Sequence, residues 1–209
     1  MIKFLRAILA VLFISIGYSD DYYKGDTIVR EGVHAFYNYE FDKAVNILTQ
    51  ARVDYPDHPG VHLIWAASRW VSSQANSPVN KTYKVLSEDL KEIGPVYDEL
   101  VNRFGYDPNY KLYQGSALGL SARVALGKKQ WLRTLIHSYR GFMIIKKVAQ
   151  ESPEIKDAQL PIGIVEYFAG ISNPIISWAV KLYDLDASTE SGLHRMALAA
   201  DEGHWAWIE

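Results

Sequence analysis

Apolar residues in this chain return every three or four positions, and proline or glycine interrupts the pattern wherever a helix has to stop. A strand would need alternation at every second position, and tight hairpins favour Asn-Gly or Asp-Gly. Neither dipeptide occurs anywhere in the chain. The fold class that follows is all-α, built from antiparallel helical hairpins.

The stops place the elements. Helical spacing runs over 21–37 and again over 40–54, with Phe41, Ala44, Val45, Leu48 and Ala51 on one side, and Asn38-Tyr39 forms the short break between them. Pro56 and Pro59 end the second helix and open a third, and the polar stretch 72–80 reads as the next loop, with Asn80 as a cap. A long helix is expected over 81–104, kinked where Gly94 meets Pro95. Asp107-Pro108 is a cap followed by proline at the first helical position, so a helix should run from there to about Leu126. Its partner is expected over 128–151, followed by shorter helices over 155–169, 174–183 and 189–202.

Composition removes whole classes of function. With 22 basic and 24 acidic side chains among 209 residues, the net charge of -2 supplies no chain-wide field for nucleic acid. Zero cysteines exclude disulfides, thiolate chemistry, Cys-ligated zinc and iron–sulfur clusters, and no cofactor is expected. Hydrophobic residues make up 49% of the chain, enough for a real core.

Residues 1–19 read as a secretory signal peptide. Lys3 and Arg6 precede a ten-residue apolar run from Ala7 to Ile16, and Gly17 and Ser19 supply small residues for cleavage before Asp20. The run is half of what a membrane span needs, which argues against a permanent anchor. The expected organisation is therefore a signal peptide over 1–19 and one helical domain over 20–209, exported and periplasmic.

The first hairpin resembles the tetratricopeptide repeat. Gly32, Phe41, Ala44, Leu48, Ala51 and Pro56 stand at that repeat's spacings, while Glu31 and Ala35 depart from it where leucine and tyrosine are usual. Later proline-marked ends at Pro59, Pro108 and Pro153 lie 49 and 45 residues apart, which implies longer hairpins. The chain as a whole resembles a divergent bacterial envelope protein of this type, and its later hairpins are distantly similar to the eukaryotic inclusion-body-clearance family. The resemblance implies an α-solenoid whose concave face binds a protein or peptide, with no catalysis of its own. Carried onto this sequence it points to Val29, Val33, Phe36 and Tyr37 on the first helix and to Trp70 in the next hairpin. Arg133 and Arg140 are expected to offer charge to an acidic ligand.

Lys129, Arg133, His137, Arg140 and Lys147 fall within about 80° of one helix face at about 100° per residue, a basic stripe read first as a solvated face or one neutralised by acids of a neighbouring helix. Asp54, His58 and His62 have helical metal-ligand spacing, but Pro56 and Pro59 break the helix between them, so no metal is expected. Glu151-Ser152 resembles the dipeptide of lytic transglycosylases without that family's downstream signature. From Leu160 to Val180 only Glu166 is charged. This favours a buried hairpin over membrane contact, and Glu166 then needs a partner. Gly115, Gly119 and Ala122 form a small-residue ridge for close helix packing. Trp205, Trp207 and Ile208 look like the uncovered start of a further repeat, to be met by more chain, a partner or a second copy.

Overall fold

A computed structural model describes residues 22–171 and 188–205. The regular elements among them are all helical: α1 (Asp26–Tyr37), α2 (Phe41–Asp54), α3 (Val61–Asn76), α4 (Val79–Phe104), α5 (Pro108–Gly127), α6 (Trp131–Glu151), a 3-10 turn (Lys156–Ala158), α7 (Gln159–Ile171) and α8 (Thr189–Glu202). The expected signal peptide, the 174–183 helix, Trp207 and Ile208 lie outside the described residues. From α1 to α8 each helix packs on the next in sequence.

Gly25 starts α1 in the left-handed region at φ 99, and a Cβ there would meet the Tyr55 ring at 2.5 Å, so only glycine fits. Where α1 crosses α2, a Cβ on Gly32 would sit 2.7 Å from the Leu48 side chain, while Ala44, Leu48 and Ala51 are fully buried. The small residues at this crossing are the ones the sequence spacing selects. Ala44→Leu is accordingly expected to cost about 1–3 kcal/mol by overpacking. A thermal melt should fall by roughly 2–4 °C per kcal/mol, and an unchanged melt would mean that Ala44 does not sit at the crossing.

The turns after α1 and α5 are built alike. Asn38, Tyr39 and Glu40 donate their backbone N–H groups to the carbonyls of His34, Phe36 and Ala35; Lys128, Lys129 and Gln130 donate to Val124, Leu126 and Ala125 in the same order. Tyr39 and Lys129 occupy the left-handed region at φ 63 and 55. The two turns therefore close orphan carbonyls by one pattern, 90 residues apart. In that register Gly32 matches Ala122, and Ala51 matches Gly141.

Several expected boundaries move. The polar stretch 72–80 is not a loop: α3 continues to Asn76 and α4 begins at Val79, with only Ser77 and Pro78 between them. Ser72 and Ser73 are helical, with Ser73 Oγ donating to the Trp70 carbonyl and Ser72 Oγ to Asp42. The helix after Gly127 starts at Trp131 rather than Lys128, because Lys128–Gln130 form the turn. Pro95 lies inside α4 without dividing it.

Buried polar groups tie distant segments together. Tyr97 Oη accepts from the Leu63 N–H at 3.0 Å and donates to the Pro59 carbonyl at 2.9 Å, and its burial pushes its pKa far above the usual phenol value. Glu166, 1% exposed, receives Arg195 Nε and Ser191 Oγ, both at 2.8 Å, from α8. The lone acid of the apolar run is thus paired across α7 and α8. Trp205 folds back instead of standing uncovered. Its N–H donates to Asp157, its ring lies 5.7 Å from that of His58, and the Arg30 guanidinium sits 4.3 Å above it.

Candidate functional site

The helices α1, α3, α5 and α7 turn apolar side chains into one shared groove of about 390 Å³. α1 supplies Val33, Phe36 and Tyr37; α3 supplies Leu63, Ile64 and Ala67; Leu112 and Leu120 come from α5; Leu160, Pro161 and Ile164 come from α7. Trp205 stands at one end, beside Asp157. The period of each helix explains the arrangement: one side packs on the neighbouring helix, and the residues one turn round face the groove. Ile145 from α6 reaches the wall between α5 and α7.

The polar groups in this wall are few. Ser116 Oγ is occupied by the Leu112 carbonyl, and Asp157 holds the amides of His204 and Trp205. Ser68, 1% exposed, has no hydrogen-bond partner for its hydroxyl among the described residues. An unpaired hydroxyl buried behind an apolar wall costs about 1–3 kcal/mol. Burial raises the Tyr113 pKa well above the usual phenol value, so this ring presents a neutral surface.

Of the expected ligand-binding residues, Val33, Phe36 and Tyr37 lie in the groove wall. Val29 does not; it is fully buried in the core with Leu48 and Ala51. Trp70 follows Leu63 by two turns on nearly the same edge of α3, but at that height α3 meets other partners. Its ring stacks on Tyr83 at 6.3 Å, under the Arg123 guanidinium at 5.1 Å. Arg133 and Arg140 are on α6, away from the groove, and Arg133 borders a separate notch with Lys91, Lys128 and His137. The sequence reading therefore reached the α1 side of the groove and missed Ile64, Ala67, Leu112 and Leu120. Those residues repeat at helical spacing, but so do the core residues beside them.

The two histidines are structural. His58 Nδ1 accepts from the Gly60 N–H at 3.1 Å, leaving the proton on Nε2, which donates to Asp26 at 2.8 Å. In the same way His62 Nδ1 accepts from Arg52 Nε and its Nε2 donates to the Pro56 carbonyl. Burial, with the Arg52 charge, lowers the His62 pKa against the pull of that carbonyl. Asp54 bonds Gln50. Among the described residues no group of three or more His, Cys, Asp or Glu gathers as a metal site. Glu151 is exposed and lies 3.7 Å from Lys147.

Comparison with protein-family models, curated proteins and solved structures finds no match for this chain. Among the described residues no helix is long and apolar enough to cross a membrane.

Proposed function

We propose that this chain is a tetratricopeptide-like binding module, exported by its N-terminal segment, that holds an apolar peptide segment in the groove between α1, α3, α5 and α7. The observation that carries the reading is the convergence of these alternate helices on one apolar groove, with the Ser68 hydroxyl buried and unpaired in its wall. Solenoids of helical hairpins place the first helix of each pair on their inner face, and the matching turns after α1 and α5 support that order. Apolar side chains of the ligand fill the space beside Phe36 and Ile64. The basic residues of α6 take no part in this site.

Peptide display against the purified chain tests the reading. Enriched peptides should carry two or more closely spaced apolar residues. Phe36→Ala and Ile64→Glu should each weaken them by about tenfold or more, the loss typical of an anchor worth at least 1–2 kcal/mol. Peptides that bind both variants as tightly as the parent, with circular dichroism unchanged, would place the site elsewhere.

A further inference from the structure

From Lys128 to Gln150 the chain carries six lysines and arginines and no acidic residue, although the protein as a whole is slightly acidic. Most of this segment is α6, whose packed side is narrow: Gly141, Ile145 and Val148 are its buried residues. The rest of the circumference divides into two sectors. At about 100° per residue, Trp131, Leu132, Leu135, Ile136, Tyr139 and Met143 fall within roughly 140°. All six are exposed, Trp131 by 65%, Leu132 by 72% and Leu135 by 59%. Arg133, His137, Arg140 and Lys147 occupy the adjoining sector of roughly 80°. On that side α6 borders a notch of about 250 Å³ facing α4 and α5, where Lys91 and Lys128 join Arg133 and His137.

A solvated helix would not expose this many large apolar side chains in one stripe. The stripe is a helix flank rather than a cleft, and of the cations that border it only Lys147 has a counter-charge on the same helix, Glu151 at 3.7 Å. An apolar sector beside a cationic one suits a bilayer interface, where the apolar residues enter the acyl boundary by about 5–10 Å and the cations meet headgroup phosphates. We propose that the exposed face of α6 docks on an anionic lipid surface, with Trp131, Leu132 and Leu135 immersed and Arg133 and Arg140 paired with lipid phosphates. The notch lined by Lys91 and Lys128 has room for one such phosphate. This surface shares no residue with the groove assigned above and stands independently of that assignment.

Co-sedimentation of the full chain with vesicles tests the proposal, comparing pure phosphatidylcholine with phosphatidylglycerol-rich vesicles. The wild type should prefer the anionic vesicles by tenfold or more, with binding that weakens as salt rises, since each cation near such a surface contributes roughly 1 kcal/mol. Leu132→Glu combined with Leu135→Glu should reduce that binding at least tenfold. Arg133→Gln with Arg140→Gln, which leaves every apolar contact in place, should remove most of the preference for anionic lipid. Circular dichroism checks both variants for folding, and should the first misfold, the second decides. The N-terminal apolar run is present in all of these chains, so it cannot account for a difference between them. Equal binding by the wild type and the arginine variant, or equal binding to both vesicle types, would overturn the proposal. Dimerisation of the wild type that the glutamate variant abolishes, without vesicle binding, would give the face to a second copy. A wild type that neither binds vesicles nor self-associates would leave the face without a lipid role. Either outcome also overturns it.

Discussion

Gly141→Leu is expected to cost about 3 kcal/mol or more, at the upper end of the overpacking range, because the atoms in its way are backbone. A Cβ on Gly141 would lie 2.7 Å from the Gly115 carbonyl oxygen and 3.1 Å from the Gly119 nitrogen. The reciprocal Cβ on Gly115 would lie 2.8 Å from Ile145. A side chain could rotate away, whereas a carbonyl within a helix can retreat only with the helix. α5 would have to separate from α6 where their backbones approach closely, breaking the cluster of Leu112, Ile145 and Val148. Urea unfolding at equilibrium measures the loss. Gly119→Ala is the control. A Cβ there meets nothing within 4 Å, and replacing a helical glycine should stabilise by about 0.5–1 kcal/mol. A Gly141→Leu protein as stable as the wild type would show that the two helices do not cross at this residue.

Asp26→Ala should be nearly as damaging, at about 2–5 kcal/mol, because it removes the acceptor of buried donors, and each donor left unmet costs about 1–3 kcal/mol. Asp26 is 1% and His58 2% exposed. The carboxylate also accepts the Tyr23 N–H, so the substitution leaves two donors without acceptors at the start of α1. Its pH dependence gives a second check. Burial works to raise the Asp26 pKa, but hydrogen bonds from His58 and the Tyr23 amide outweigh it, and the folded-state value lies below the ordinary one. A depressed acid stabilises the fold above its unfolded pKa of about 3.9 and loses that contribution as pH falls through the folded value. The gap between wild type and Asp26→Ala in urea unfolding should therefore be full near pH 7 and shrink as the solution is acidified below the unfolded pKa. A gap that stays constant across that range would mean the carboxylate charge contributes nothing to holding α1 against His58.

Much of this is legible in the sequence, and for identifiable reasons. Asp107 caps α5 through the Asn109 N–H at 2.9 Å, with Pro108 next. Gly115 packs closely on α6 as its place in the small-residue ridge suggests, although Gly119 of the same ridge has open space where a Cβ would stand, and Gly32 with Ala44 marks a crossing. Caps, prolines and small residues act within one or two turns of chain, so their spacing carries the information. The Ser72–Asn80 stretch misled because polar residues at a solvent-facing helix end have the composition of a loop. Val29 misled because the inward side of α1 has two surroundings. Residues one turn apart on it either pack on α2 or line the groove, and periodicity alone does not separate them.

The sequence by itself determined the all-helical class, most helix ends and the positions where helices must approach closely, since each follows from local backbone preference and side-chain size. Only the tertiary structure decided which apolar faces meet and which stay open. Asp26 finds His58 across 32 residues, Glu166 finds Arg195 across 29, and Trp205 returns to Arg30 near the start of the chain. Such pairs satisfy buried charge and polarity through partners that no local pattern specifies. The apolar flank of α6 shows the same limit: its leucines have core-like periodicity, and only the packing of α5 against the glycine side leaves them facing outward.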